Sequence, residues 1–264
     1  MNPHQPLPID IRLMNFSAGV LALGLCLLLL VSVASWALRH PAFAITGITV
    51  QGDTAHNNEV TLRANVASRL QGNFFTLDLA QARSAFEAVP WVRKAVVQRD
   101  FPNRLRVNLQ EHRSAGFWGA DSESRMLNTF GEVFEANTGD AESEELPRLI
   151  GPDSMSAAVL ESYKSLNALF TPLDASIEEL ELTGRGGWRL QLDGGAVIEL
   201  GRGTPKELME RLQRFTSTYT QVMAAYQRAG LERVESVDLR HNQGYAIRLR
   251  GVSTVVTAPG TEKK

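Results

Sequence analysis

The feature that most constrains this chain is an uncharged apolar run near its N-terminus. The run extends from Leu13 to Leu38 and is flanked by Arg12 and Arg39. As an α-helix, with a rise of about 1.5 Å per residue, it would be roughly 39 Å long and would cross a hydrocarbon core of about 30 Å with some tilt. Trp36 lies near one end, where an interfacial anchor is expected. We therefore predict a membrane-spanning helix over Leu13 to Leu38, after a short tail over residues 1–12.

The competing interpretation of this run is a cleavable signal peptide. Ala42-Phe43-Ala44 offers the small-residue pattern of a cleavage site. The apolar region of a signal peptide is typically about 7–15 residues long, so the longer run favours an uncleaved anchor. Flanking charge does not decide the orientation, because His4 and Arg12 precede the run while Arg39 and His40 follow it. A short tail, one span and a large following region are the layout of a bitopic protein.

Composition and motifs argue against an enzyme. The net charge of −2 gives no overall basic field for nucleic acid. The single cysteine, Cys26, excludes an internal disulfide and disfavours a cysteine-based metal site. The five histidines have no metal-ligand spacing, and no GxSxG nucleophile motif is present. We identify no catalytic, cofactor-binding or metal-binding residues, although a catalytic site assembled from distant segments stays an open alternative.

The region after the anchor divides near residue 114. For residues 45–114 the patterns predict the order strand, helix, helix, strand, strand. Asp78 and Gln81 resemble a capping box that opens the second helix. In chain order the predicted elements are Ile45–Val50, Asn58–Leu70, Asp78–Val89, Trp91–Arg99 and Arg104–Glu111.

The charged stretch from Val89 to His112 could be a catalytic cluster, a nucleic-acid patch or a pair of strands with a charged outer face. Leu105, Val107 and Leu109 alternate strictly with polar residues, which indicates a strand with one buried face. A catalytic pairing of Glu111 with His112 is disfavoured because neighbours in a strand point to opposite faces. Nucleic-acid binding is disfavoured because the basic residues are interleaved with acids.

Residues 115–257 are predicted to form a second domain of mixed strands and helices. The acidic stretch Glu135–Glu145 is interpreted as a solvated loop, and Asp153 or Ser154 is expected to cap a helix that runs to about Phe170. Strands Ser176–Thr183, Trp188–Leu192 and Ala196–Leu200 follow, with a hairpin turn between the last two.

The end of this domain combines a long helix with two last strands. Thr204, Pro205 and Glu207 form a capping box that opens a helix with apolar residues at helical spacing from Leu208 to Tyr226. Strands Arg233–Arg240 and Tyr245–Arg250 come next, joined by the turn His241–Gly244. Residues 252–257 continue the sheet or fray, and residues 258–264 are predicted to be a disordered tail. The fold class is therefore α+β, with a C-terminal edge strand.

Specific residues carry a resemblance to a known family. Ile48-x-Val50-x-Gly52, Trp91-Val92 and the turn from Arg99 to Leu105 resemble a POTRA module. A POTRA directly after a single span looks like the FtsQ/DivIB family of bacterial cell-division proteins, and the segments 198–215 and 237–250 also match that family. The resemblance implies a non-enzymatic divisome scaffold of the bacterial inner membrane, with a cytoplasmic N-terminus, periplasmic domains and a location at the septum. The alternative is a POTRA component of outer-membrane protein biogenesis.

The resemblance also implies partners and a binding site. It implies that the last strands receive FtsB, which is bound together with FtsL, and that the POTRA aids recruitment, with FtsK among its contacts. His241 stands where the family often has tyrosine, and Gln243 where it has a small polar residue. For Arg240 the alternative is an ordinary solvent-facing strand arginine. The expected partner-binding residues are Arg202, Arg240, His241, Asn242, Gln243, Gly244, Tyr245, Ala246, Ile247 and Arg248.

Overall fold

The chain has two structural units that divide between Glu111 and His112, and the first unit begins with a long N-terminal helix, α1 (Ile9–Leu38). The computed structural model describes residues 9–120, 124–136, 146–225, 231–241 and 244–251. The segment Leu13–Leu38 has a mean hydropathy of 2.5 and none of it is buried against protein. An apolar helix of this length with no protein around it fits a transmembrane segment.

After α1, the first unit has the β-α-α-β-β order that the sequence predicts. Its sheet has the strand order β1-β3-β2, in which β1 is parallel to β3 and β3 is antiparallel to β2. Asn58 and Asp78 cap the two helices by accepting backbone hydrogen bonds from their first turns. The elements are β1 (Gly47–Gly52), α2 (Glu59–Val66), α3 (Leu79–Glu87), β2 (Val92–Asp100) and β3 (Arg104–Glu111).

The core of this unit lies between the sheet and the two helices. Leu105, Val107 and Leu109 of β3 are buried, while the polar residues between them are exposed. Leu62 of α2 and Phe86 of α3 pack against them. The charged residues of the stretch Val89 to His112 that alternate with this apolar set therefore belong to the outer face of the sheet.

The second unit is built on one mixed sheet. Within the described ranges this sheet has nine strands in the order β12-β11-β10-β9-β8-β7-β4-β5-β6, and with the first unit it confirms the α+β class. Helix α4 contacts β7 and β8, and α5 contacts β10. The elements are β4 (Ser114–Trp118), β5 (Arg125–Asn128), β6 (Val133–Glu135), β7 (Arg148–Ile150), α4 (Ser156–Asn167), β8 (Ile177–Leu182), β9 (Gly187–Leu192), β10 (Val197–Arg202), α5 (Pro205–Ala225), β11 (Val234–Asp238) and β12 (Ala246–Leu249).

The predicted start of α4 is wrong. A 3₁₀ turn (Asp153–Met155) precedes the helix, and no side chain caps α4. The Asp153 carboxylate instead accepts hydrogen bonds from Trp118 Nε1 at 2.8 Å and Arg125 at 2.7 Å, which lower its pKa. The aspartate is therefore occupied by partners from β4 and β5. Most of the predicted acidic loop (residues 137–145), Tyr226 and residues 252–264 lie outside the described residues.

Candidate functional site

The terminal strand β12 is the part of the second unit best placed to bind another chain. On its inner side β12 pairs antiparallel with β11, with Val237 opposite Ile247 and Asp238 opposite Ala246. No other strand of the described residues pairs with its outer side. Such an edge presents backbone donors and acceptors that an additional strand can use.

The register shows which backbone groups point outward from β12. The Leu239 N–H donates to the Glu199 carbonyl of β10 at 2.8 Å, so the backbone groups of residue 239 face β10. Backbone groups alternate in direction along a strand, and those of Asp238 therefore face β12. Asp238 pairs with Ala246, which places the Ala246 and Arg248 backbone groups inside the sheet. The N–H and C=O groups of Ile247 consequently point to the open edge, as do those of Leu249.

The side chains around β12 hold the strand on helix α5. Ile247 is half-buried and packs against the main core, and Leu249 is buried. The Tyr245 hydroxyl lies 2.9 Å from Thr218 Oγ1, and the Tyr245 ring makes an edge contact with Phe215 at 5.3 Å between centroids. The Tyr245 side chain therefore anchors the strand.

A carboxylate and guanidinium pair lies at the beginning of this edge. Arg240 donates from Nε to Asp238 Oδ1 at 2.9 Å and from Nη2 to Asp238 Oδ2 at 2.5 Å, and its backbone N–H also donates to Oδ1. These hydrogen bonds, together with the nearby positive charge, lower the pKa of Asp238 from 3.8 to about 2. Sequence reasoning missed Asp238, although its spacing of two from Arg240 places both on one face of a strand.

The Gly201-Arg202 corner of β10 lies directly beside Arg240. Gly201 has a φ of +75°, and a Cβ built there would lie 2.8 Å from Cγ of Arg240, so a side chain would collide with the arginine stem. Arg211 of α5 fixes the corner by donating to the carbonyls of Leu200 at 2.8 Å and Arg202 at 2.7 Å. The exposed Arg202 side chain makes no ion pair with any residue that the structure describes.

The other predicted site residues are distributed around these two features. His241 is exposed and Gly244 is half-buried, between β11 and β12. Arg248 is exposed and forms an ion pair with Glu235 at 3.1 Å. Asn242 and Gln243 lie outside the described residues. The structure thus brings Arg240 next to the Arg202 corner and places β12 at the sheet edge.

Glu111 and His112 do not form a site together. The buried Glu111 carboxylate accepts hydrogen bonds from the backbone N–H groups of His56 and Asn57, both at 3.0 Å. His112 lies 2.8 Å from the Asn128 amide and stacks on Phe134. Glu111 therefore has a structural role, because it holds the loop between β1 and α2. The described residues contain no cluster of three or more His, Cys, Asp or Glu side chains that could hold a metal ion.

An N-terminal apolar helix, a POTRA-like unit and a mixed sheet define a class of membrane-anchored proteins. Residues 43–112 match the family model "POTRA domain, FtsQ-type", and residues 116–240 match "Cell division protein FtsQ/DivIB, C-terminal". The chain belongs to the FtsQ/DivIB family of cell division proteins.

Curated relatives support this assignment over most of the chain. "Cell division protein FtsQ" of Burkholderia pseudomallei is 40% identical over 244 residues, which cover 92% of this chain and 94% of the relative. The proteins of the same name from Thiomonas arsenitoxydans and Bordetella pertussis are each 35% identical, and they cover 97% and 91% of this chain and 92% of each relative. The family predicted from the sequence is confirmed, and with it a role in cell division.

Proposed function

We propose that this protein is a non-enzymatic scaffold of the divisome that captures FtsB, together with FtsL, by adding a strand to β12. The observation that carries this proposal is the outward direction of the Ile247 backbone groups at a sheet edge with which no other described strand pairs. The first unit aids recruitment, with FtsK among its contacts. The chain spans the inner membrane once, with its domains in the periplasm, and acts at the septum.

The two predicted arginines contribute differently to this interface. Arg240 is held by Asp238, so an acidic side chain of the partner has to compete for the guanidinium or contact its remaining N–H groups. Arg202 is exposed and makes no ion pair within the described residues. Its forked donors are therefore available to a carboxylate. Arg202 is the better candidate for charge recognition, and Arg240 for shaping the edge.

A matched pair of substitutions at Ile247 tests strand addition. Ile247→Pro and Ile247→Ala both remove the aliphatic packing, but only proline removes the outward N–H. We expect Ile247→Pro to weaken FtsB binding about tenfold or more relative to Ile247→Ala, because one interchain hydrogen bond is lost and the ring obstructs the added strand. The measurement is a titration of the detergent-solubilised protein with FtsB. Equal affinities of the two variants would contradict strand addition.

A charge reversal in the same binding assay tests the corner. Arg202→Glu is expected to lower FtsB affinity up to about tenfold, since an attraction becomes a repulsion at an exposed position. Lys164→Glu introduces the same charge change on α4 and is the control. A loss of affinity that is as large for Lys164→Glu as for Arg202→Glu would show a general charge effect and would remove Arg202 from the site.

A further inference from the structure

Four phenylalanines form a cluster at one end of the first unit, which we name the aromatic foot: Phe43, Phe74, Phe75 and Phe101. Three separate segments contribute to it, since Phe43 follows α1, Phe74 and Phe75 precede α3, and Phe101 lies in the turn between β2 and β3. Successive ring centroids are 4.8, 5.2 and 6.0 Å apart along the chain of contacts. Phe101 is 75% exposed and Phe75 is 43% exposed.

The aromatic foot lies directly at the end of the apolar helix. The Asn73 side-chain amide donates to the carbonyl of Leu38, the last residue of α1. The Phe74 N–H donates to the Phe43 carbonyl at 2.8 Å. The loop that carries Phe75 is thus connected by one hydrogen bond to the point where the proposed span ends.

The aromatic foot is held rigidly. Arg99 donates from Nε to the Phe74 carbonyl at 2.5 Å and from Nη2 to the Leu77 carbonyl at 2.7 Å. Asn73 Oδ1 accepts hydrogen bonds from the backbone N–H groups of Phe75 and Thr76, both at 3.0 Å. An exposed aromatic side chain on a fixed loop loses little conformational freedom when it binds a second surface. Arg99 is therefore a positioning residue for the foot.

We propose that the aromatic foot inserts into the lipid interface on the side of the bilayer where α1 ends, and so fixes the first unit on the membrane surface. Aromatic residues favour the headgroup level of a bilayer, and this cluster is continuous with the span. A lipid surface is favoured over a protein partner because Leu38 places the foot at membrane level. The inference rests on α1 crossing the membrane. It is independent of FtsB capture.

Spin labels in the reconstituted full chain test this proposal. The probe is a vesicle of phosphatidylethanolamine and phosphatidylglycerol without any partner protein. Single cysteines are introduced as Phe75→Cys and Phe101→Cys in a Cys26→Ala background, and the matched control is Val60→Cys. Val60 is an apolar residue that is 78% exposed on α2, which follows the opposite end of β1. The native Cys26, labelled in the unmodified chain, reports whether α1 is inserted.

The ratio of collisions with oxygen, which partitions into lipid, to collisions with a water-soluble nickel chelate gives the immersion of each label. We expect this ratio to be severalfold higher at positions 75 and 101 than at position 60, and highest at position 26. A lipid-embedded label at 26 with labels at 75 and 101 as hydrated as that at 60 would overturn the foot and leave the anchor intact. A hydrated label at 26 would overturn both. Retained circular dichroism shows that each variant is folded.

Discussion

At the scale of single residues, the Asp238–Arg240 pair determines the chemistry of the proposed binding edge. The aliphatic part of the Arg240 side chain packs against Gly201, and its guanidinium donates hydrogen bonds to Asp238 of β11, the strand that pairs with β12. Asp238 therefore neutralises a charge that would otherwise face the partner directly. Both arginines are exposed, but Arg240 is already engaged by Asp238, and a partner with a single carboxylate is therefore expected to bind Arg202 at the proposed interface.

The pair predicts a specific pH dependence of stability. The pKa of Asp238 is lowered to about 2 in the folded protein from 3.8. A lowered pKa means that the carboxylate stabilises the folded state above pH 3.8, and that this contribution disappears as the pH falls toward 2. Asp238→Asn is therefore expected to have a lower denaturation midpoint than the parent near neutral pH, with the difference closing between these two values. Urea unfolding at several pH values measures it.

The control for this experiment is Glu235→Gln, which removes another carboxylate of β11 from an exposed ion pair with Arg248. Exposed pairs contribute about 0–1 kcal/mol, so this variant is expected to unfold close to the parent at neutral pH. If the denaturation midpoints of Asp238→Asn and the parent differ by the same amount from neutral pH to pH 2, ionisation of Asp238 does not contribute to the stability of the folded protein.

The candidate site was predictable only in part, and particular residues show why. The turn at His241 and the strand from Tyr245 followed from local pattern and from the family resemblance. Whether a side chain faces the helix or the open edge depends on register with β11 and β10, which one sequence does not contain. The role of Tyr245 is an example, because its hydroxyl partner, Thr218 of α5, lies 27 residues earlier in the chain.

At the scale of elements, helix starts were predicted wherever the cap was local. Asn58, Asp78 and Thr204 lie next to the helices that they begin, and the Thr204–Glu207 capping box is present, with the Thr204 N–H donating to Glu207 at 2.7 Å. The prediction that Asp153 caps α4 was wrong because its carboxylate accepts a hydrogen bond from Trp118, which lies 35 residues earlier in the chain. Local propensity shows which residues are able to cap a helix, and tertiary contacts determine whether a given residue does so.

The loop between β1 and α2 depends on one distant carboxylate. Glu111 accepts the backbone N–H groups of His56 and Asn57 and also the Asn57 side chain, while the His56 ring stacks on Trp91 at 3.8 Å. Glu111→Ala leaves these donors without their acceptor, and we expect the free energy of local opening of this loop to fall by about 2–3 kcal/mol. Amide hydrogen exchange of peptides that cover residues 53–58 should accelerate accordingly.

Glu111→Gln is the matched control for that loop, because its side chain retains one carbonyl oxygen and keeps part of the hydrogen bonding. Its exchange should fall between those of the parent and Glu111→Ala. Exchange of the loop that is the same in all three proteins would mean that the carboxylate does not hold it.

At the scale of the whole molecule, each part has one task. The apolar helix fits an anchor, the first unit presents the aromatic foot at the end of that helix, and β12 is an edge strand whose outer side pairs with no other strand of the described residues. None of these proposed tasks needs a converging set of reactive side chains, and on that basis we propose a scaffold role. If α1 crosses the membrane as proposed, the orientation of the chain decides whether β12 can meet periplasmic segments of the proposed partners.

The removal of one flanking positive charge should change the orientation of the chain, because Arg12 and Arg39 lie at opposite ends of the apolar run and favour opposite orientations. Positively charged flanks are retained in the cytoplasm, so Arg39→Gln is expected to strengthen the proposed orientation and Arg12→Gln to yield a measurable inverted fraction. A C-terminal alkaline phosphatase fusion, active only after export, measures the periplasmic fraction. A C-terminal fluorescent protein that fluoresces only in the cytoplasm measures the inverted one. An unmodified chain with an inactive phosphatase would place β12 in the cytoplasm and contradict the proposed capture of periplasmic partner segments.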